Sequence, residues 1–259
     1  MCLVLLAVRA HPLYPLVVAA NRDEFHARPS APARFWEDAP GVLAGRDLEK
    51  GGAWLGVTRS GRVAALTNFR DPRAVRHDAA SRGALVSGFL SGAASAEEWL
   101  GASLNEAPRY NPFNLVAGVG ARLLVLESRT GRVLPLGEGV HGISNALVDT
   151  PWPKVTRGKA ALSRLLARTG ELDPEALLSL LADREPAEDA ELPDTGVGVE
   201  KERLLSPPFI VSERYGTRSS TVLLLDAAGR ALFVERSFDA AGGATGTVAF
   251  TVETGRGSA

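Results

Sequence analysis

The first seventy residues alternate short Val/Leu-rich runs with glycine- or proline-bearing turns, the pattern of successive β-strands. Residues 2–9 and 16–21 read as a hairpin pair joined by His11-Pro12-Leu13-Tyr14-Pro15. The proline-bearing residues 27–40 read as an irregular loop. Residues 42–48, 53–58 and 62–68 read as short strands, separated by Lys50-Gly51-Gly52 and Ser60-Gly61. The period then changes. Leu85, Phe89 and Leu90, then Trp99, Leu100 and Leu104, recur near helical spacing. Strands return at 113–118 and 122–127, with Thr130-Gly131 turning into another. Residues 154–168 and 174–181 read as helices with Leu162, Leu165 and Leu166 on one apolar face and Leu177, Leu178 and Leu181 on the other. Asp173 suits the N-cap and Pro174 the first turn of the second helix. The acidic, Pro- and Gly-bearing residues 183–200 read as a mobile surface loop. Strands at 221–225 and 231–236 flank the turn Asp226-Ala227-Ala228-Gly229, a last strand covers 247–252, and residues 255–259 read as a frayed tail.

Strands that follow one another through short hairpins build largely antiparallel sheets. Two helical blocks then need apolar surface to cover. A two-sheet sandwich with helices outside, an α+β αββα arrangement, meets both demands in a single domain over residues 1–254.

Composition narrows the function. The 259 residues are 45% hydrophobic and 23% charged, with a net charge of −1 and no long basic run, which argues against nucleic acid as a partner. No run reaches about 18 uninterrupted apolar residues, so no transmembrane segment is expected. Arg9 and His11 interrupt the apolar start, which reads as two strands rather than a signal peptide. A single cysteine excludes an internal disulfide and a multi-cysteine metal site, and suits a cytoplasmic location. His11, His26, His77 and His141 are scattered without metal-ligand spacing, so no metal is expected. The glycine-rich residues 137–142 lack the lysine of a phosphate-binding loop.

The one cysteine follows Met1 directly. Removal of Met1 would put a thiol and a free α-amine on the same residue, Cys2, with nucleophile and base together. Asn21-Arg22-Asp23-Glu24 ends the second apolar run. In a hairpin with the first strand, Arg22 and Asp23 come close to Cys2, where arginine favours thiolate and a carboxylate can orient the α-amine. The thiol pKa is therefore expected to be lowered. Three further polar clusters lie beside apolar strands: Leu66-Thr67-Asn68-Phe69-Arg70, Gly142-Ile143-Ser144-Asn145-Ala146 and Tyr215-Gly216-Thr217-Arg218-Ser219-Ser220. Asparagine amides such as those of Asn68 and Asn145 can donate to a developing oxyanion.

Met1-Cys2, Asn21-Arg22-Asp23-Glu24 with Arg28-Pro29 behind it, Gly51-Gly52-Ala53-Trp54-Leu55-Gly56 and the three clusters above resemble the NRDE family, that of the transport and Golgi organisation protein two and its bacterial relatives. The match runs over nearly the whole chain. It implies a four-layer αββα N-terminal-nucleophile-hydrolase-like fold. More remotely the pattern is similar to the choloylglycine hydrolase and penicillin V acylase group. That similarity implies Cys2 as nucleophile, Arg22 and Asp23 beside it, Asn68 and Asn145 as oxyanion or amine contacts, and Arg218 as a positive group near the thiol. Two functions follow as expectations. One is a Cys2-dependent hydrolase of non-peptide amides or thioesters that needs no cofactor. The other is a non-catalytic carrier in lipid homeostasis or haem trafficking, binding haem or an acyl-coenzyme A. Either would take a small-molecule ligand with carbonyl or anionic groups.

Overall fold

The computed structural model describes residues 2–255, so Met1 and residues 256–259 of the expected tail lie outside the described residues. The chain begins with strands β1 (Cys2–Val8), β2 (Leu16–Phe25), β3 (Ser30–Phe35), β4 (Val42–Asp47), β5 (Leu55–Thr58) and β6 (Arg62–Asn68). Helices α1 (Gly83–Ser91) and α2 (Ala96–Asn105) follow, then β7 (Phe113–Val119), β8 (Arg122–Glu127), β9 (Arg132–Pro135) and β10 (Gly139–Ile143). Helices α3 (Pro153–Leu166), α4 (Pro174–Leu181) and α5 (Val199–Leu204) lead to β11 (Tyr215–Leu225), β12 (Arg230–Phe238) and β13 (Ala244–Glu253).

The strands form two antiparallel sheets. One has the order β10-β1-β2-β11-β12-β13; the other runs β3 to β9 in chain order. Every residue of β1 is buried because both of its faces are covered. Val4, Leu6 and Val8 point between the sheets with Leu16, Val18 and Ala20 of β2. Leu3, Leu5 and Ala7 point outward, under Val155 and Leu162 of α3 and Leu177 and Leu178 of α4. Each such side chain contributes about 1.5–3 kcal/mol by leaving water. On the far side, Leu85, Phe89 and Leu90 of α1 and Leu100 of α2 cover Val42, Ala64, Leu66 and Leu115 of the second sheet. The four layers are therefore helix, sheet, sheet and helix. Among the described residues no helix is long and apolar enough to cross a membrane.

Two expectations are corrected. Residues 30–35 are not loop but β3, paired with β4, with an irregularity between Ala31 and Arg34. Pro32 is tolerated because β3 is an edge strand. Residues 139–143, to which the sequence reading assigned no element, form β10, paired with β1 from Val4↔Ile143 to Val8↔Gly139. Residues 183–200 are irregular but anchored: Ala187 is buried and its N–H donates to Ser206 Oγ, and α5 begins at Val199. Just beyond that segment, Glu202 of α5 is buried in an ion pair with Arg70.

Candidate active site

The strand register builds the site. Cys2 pairs with Arg22 across β1 and β2, and Asp23 pairs with Thr217 across β2 and β11. The register then slips: Thr217 faces Asp23 and Ser219 faces Arg22, so Arg218 is the extra residue of a β-bulge. A bulge re-aims the side chain of the residue it inserts. Here Arg218 reaches the wall of a cavity of about 720 Å³, with Cys2, Arg22, Asp23 and Asn68 on the same wall. Five of the six expected site residues, from position 2 to position 218, thus meet in one place.

Asn145 is the exception among the six. It is fully buried and absent from that wall. Its Nδ2 donates to the Asn68 carbonyl at 2.8 Å, and its carbonyl accepts the Arg70 N–H at 2.7 Å. Ser144 Oγ lies 3.2 Å from the Cys2 carbonyl and 3.3 Å from Asn145 Oδ1. Asn145 and Ser144 together therefore tie the end of β6 to the start of β1, and of the two expected asparagines Asn68 is the one at the cavity.

Cys2 is 8% exposed. Burial pushes its thiol up and the Asp23 charge adds to that, while the Asp23 main-chain N–H and the Arg22 charge pull it down without overcoming burial. The expected lowering is therefore corrected: arginine is beside the sulfur, but dehydration outweighs it. Asp23 is held by a 2.7 Å hydrogen bond from Thr217 Oγ1. Burial raises its carboxyl, against the opposing pull of Lys154, Thr217 and Arg22.

Lys154 is one residue that sequence reasoning missed. It is 2% exposed at the start of α3, and its Nζ has no hydrogen-bond partner among the described residues. Burial lowers its pKa to about 8, with Asp23 the foremost charge opposing that. Its signal was faint: it stands four residues before Gly158 on the helix face that also carries Val155 and Leu162. Arg82, just before α1, also lines the cavity and lay outside every motif. Glu235 of β12 completes the wall as a buried carboxylate that accepts the Ala33 N–H at 2.7 Å and is raised by burial. Among the described residues no group of three or more His, Cys, Asp or Glu side chains could hold a metal ion. The arrangement can present a sulfur nucleophile, a carboxylate next to it and amide and guanidinium donors to a carbonyl compound.

The model of the family described as Transport and Golgi organisation 2 matches residues 1–240. The Transport and Golgi organization protein 2 homolog of Bos taurus is 37% identical, over 92% of this chain and 93% of its own length. The homolog of Mus musculus is 34% identical, over 98% of this chain and 100% of its own. Among solved structures, a mutant conjugated bile acid hydrolase from Clostridium perfringens superposes with a TM-score of 0.54 at 11% identity, covering 96% of this chain and 92% of that one. A second variant of that hydrolase gives 0.51 at 11% identity over the same shares. At such identity the likeness speaks for the fold alone, the N-terminal-nucleophile hydrolase fold, while sequence and family model together show that the chain belongs to the Transport and Golgi organisation 2 family.

Proposed function

We propose that the protein is a thiol-dependent hydrolase of non-peptide amides or thioesters, with Cys2 as its nucleophile. The observation that carries this reading is the meeting of Cys2, Arg22, Asp23, Asn68 and Arg218 on one cavity wall. Removal of Met1 frees the Cys2 α-amine. The sulfur attacks the substrate carbonyl while the α-amine takes the thiol proton. Asn68 stabilises the oxygen that becomes negative. The carbonyl bond to nitrogen or sulfur breaks, the α-ammonium protonates the leaving group, and water cleaves the resulting acyl thioester. Asp23, fixed by Thr217, keeps the positive end of this cycle in place. A free thiol fits a reducing compartment, so we place the protein in the cytoplasm.

A second reading has one observation in its favour. The cavity wall carries seven arginine or lysine side chains against five carboxylates. A carrier of an anionic ligand, such as the propionates of haem or the phosphates of an acyl-coenzyme A, would use that excess without any covalent step.

The test begins with mass spectrometry of small molecules that co-purify with the native protein, and of the mature N-terminus. The co-purifying compound is then offered to wild type and Cys2→Ala. The hydrolase reading expects a free Cys2 and loss of product release in Cys2→Ala with binding retained. Unchanged product release in Cys2→Ala refutes it. A retained Met1 with binding but no product favours the carrier.

A further inference from the structure

The cations on the cavity wall are not equivalent. Arg28 is neutralised by Asp47 at 2.6 Å, and Arg46 by Asp38 at 2.6 Å. Arg82 has no carboxylate within ion-pair distance among the described residues; its Nη1 donates only to the Pro112 carbonyl, at 3.1 Å. Arg218 is in the same position, with Nη1 directed to the carbonyls of Phe25 and His26 and a buried Nε that has no partner. Arg22 keeps Glu24 at 3.9 Å, and its buried Nη1 is unpartnered. Burial disfavours the charge of Arg82, and the anion-forming group that does most to favour it is Cys2, ahead of Glu24.

A guanidinium taken partly out of water without a counter-ion is costly, and an anion bound beside it recovers much of that cost. The wall of this cavity holds two such groups, Arg82 and Arg218, and both face the space that Cys2 faces. A neutral amide or thioester would leave both uncompensated.

We propose that Arg82 and Arg218 form an anion subsite beside Cys2, so that the compound attacked by Cys2 carries an acidic group, carboxylate or phosphate, close to its scissile carbonyl. The subsite rests on the reading of Cys2 as a nucleophile, and it narrows the substrate class to acidic acyl compounds. Arg82 enters as a specificity residue that grips the acid and takes no part in bond making.

Two alkylating probes of nearly equal size test this on the full chain. Iodoacetate carries a carboxylate next to the reacting carbon; iodoacetamide carries a neutral amide there. With either, the sulfur displaces iodide, a carbon–sulfur bond replaces the carbon–iodine bond, and the thiol proton passes to solvent. The ratio of the two rates cancels the thiolate fraction, which is common to both. At low salt, the iodoacetate-to-iodoacetamide ratio at Cys2 should exceed that of N-acetylcysteine by at least about tenfold, and fall as salt screens the guanidiniums. Arg82→Gln should bring the ratio towards that of N-acetylcysteine, and Arg82→Lys should restore part of it. If Arg82→Gln fails to fold, the salt titration of wild type and the Arg82→Lys ratio decide. A wild-type ratio equal to that of N-acetylcysteine, or an unchanged ratio in Arg82→Gln, overturns the subsite while leaving Cys2 a nucleophile. No reaction of Cys2 with either reagent overturns the nucleophile reading and the subsite with it.

Discussion

Helix α3 presents two lysines to two aspartates, one pair inside the fold and one at its edge. Lys154 is buried within electrostatic reach of Asp23 and Cys2, and Lys159 touches Asp149 near β10. At the edge, Asp149 accepts from Lys159 Nζ at 2.5 Å, from His141 at 2.8 Å and from the Gly142 N–H at 2.9 Å. Burial opposes its charge, but these donors together overcome it and lower its pKa to about 2. Inside, Lys154 makes no hydrogen bond to Asp23, and burial dominates both groups: Asp23 is raised and Lys154 is lowered to about 8. The same residue types give opposite shifts because direct hydrogen bonds in a half-open setting offset dehydration, whereas charge across a buried gap does not. The edge pair stabilises the fold. At the inner pair burial works against both charges, and groups perturbed in this way are commoner at functional sites than elsewhere.

The largest expected break concerns the wall behind Lys154. Arg70 and Glu202 form a buried ion pair, and Arg70 lies over Trp152 at 4.7 Å. Arg70→Met leaves the Glu202 carboxylate buried without its partner and should destabilise by about 3–5 kcal/mol in urea unfolding. A loss below about 1 kcal/mol would show that Lys154 can replace Arg70 as counter-charge.

Lys154→Met addresses the inner pair itself. Folding lowers the lysine from its ordinary 10.5 to about 8, so the unfolded chain binds more protons between those pH values. Its contribution to stability therefore rises as pH increases from about 8 to about 10.5, by on the order of 3 kcal/mol. Urea unfolding of wild type across this range should show that rise, and Lys154→Met should lose it. An unchanged pH slope in Lys154→Met would mean that the ammonium is not dehydrated.

Asp149→Asn probes the edge. A carboxylate lowered to about 2 contributes stability that is present above about pH 4 and lost as pH falls through 2. With about a third of the side chain exposed, solvent screening leaves about 1 kcal/mol of difference from wild type at pH 6. The two proteins should converge near pH 2.

The smallest effect belongs to His141, raised first of all by its hydrogen bond to Asp149. A raised histidine stabilises below its unfolded pKa of about 6.5, and that contribution is lost as pH rises through its higher folded pKa. His141→Gln should therefore flatten the stability profile above about pH 6.5 by a few tenths of a kcal/mol, about 0.5 at most. A titration of the His141 ring by NMR checks the direction.

Much of this molecule is legible along the chain, for local reasons. β1 reads as a strand because covering both faces requires an unbroken apolar run. Cys2, Arg22 and Asp23 could be brought together on paper because a short hairpin dictates its own register. Helix α4 announces its start through Asp173, whose side chain accepts the Glu175 N–H. β3 and β10 were harder, since proline and glycine obscure the pattern in strands that lie at sheet edges. The other decisions are long-range. Arg218 faces the cavity because of a bulge that only pairing with β2 reveals. Asn145 turns inward because the Asn68 carbonyl, 77 positions away, needs a donor. Lys154 and Arg82 gain their meaning from a sulfur that folding brings near them. The sequence by itself determined the periods, the turns and the inventory of reactive groups, because these depend on neighbours a few residues apart. Only the tertiary structure decided which amide faces the cavity, which charge is dehydrated and which guanidinium lacks a partner, because burial and counter-charge are properties of the space around a side chain.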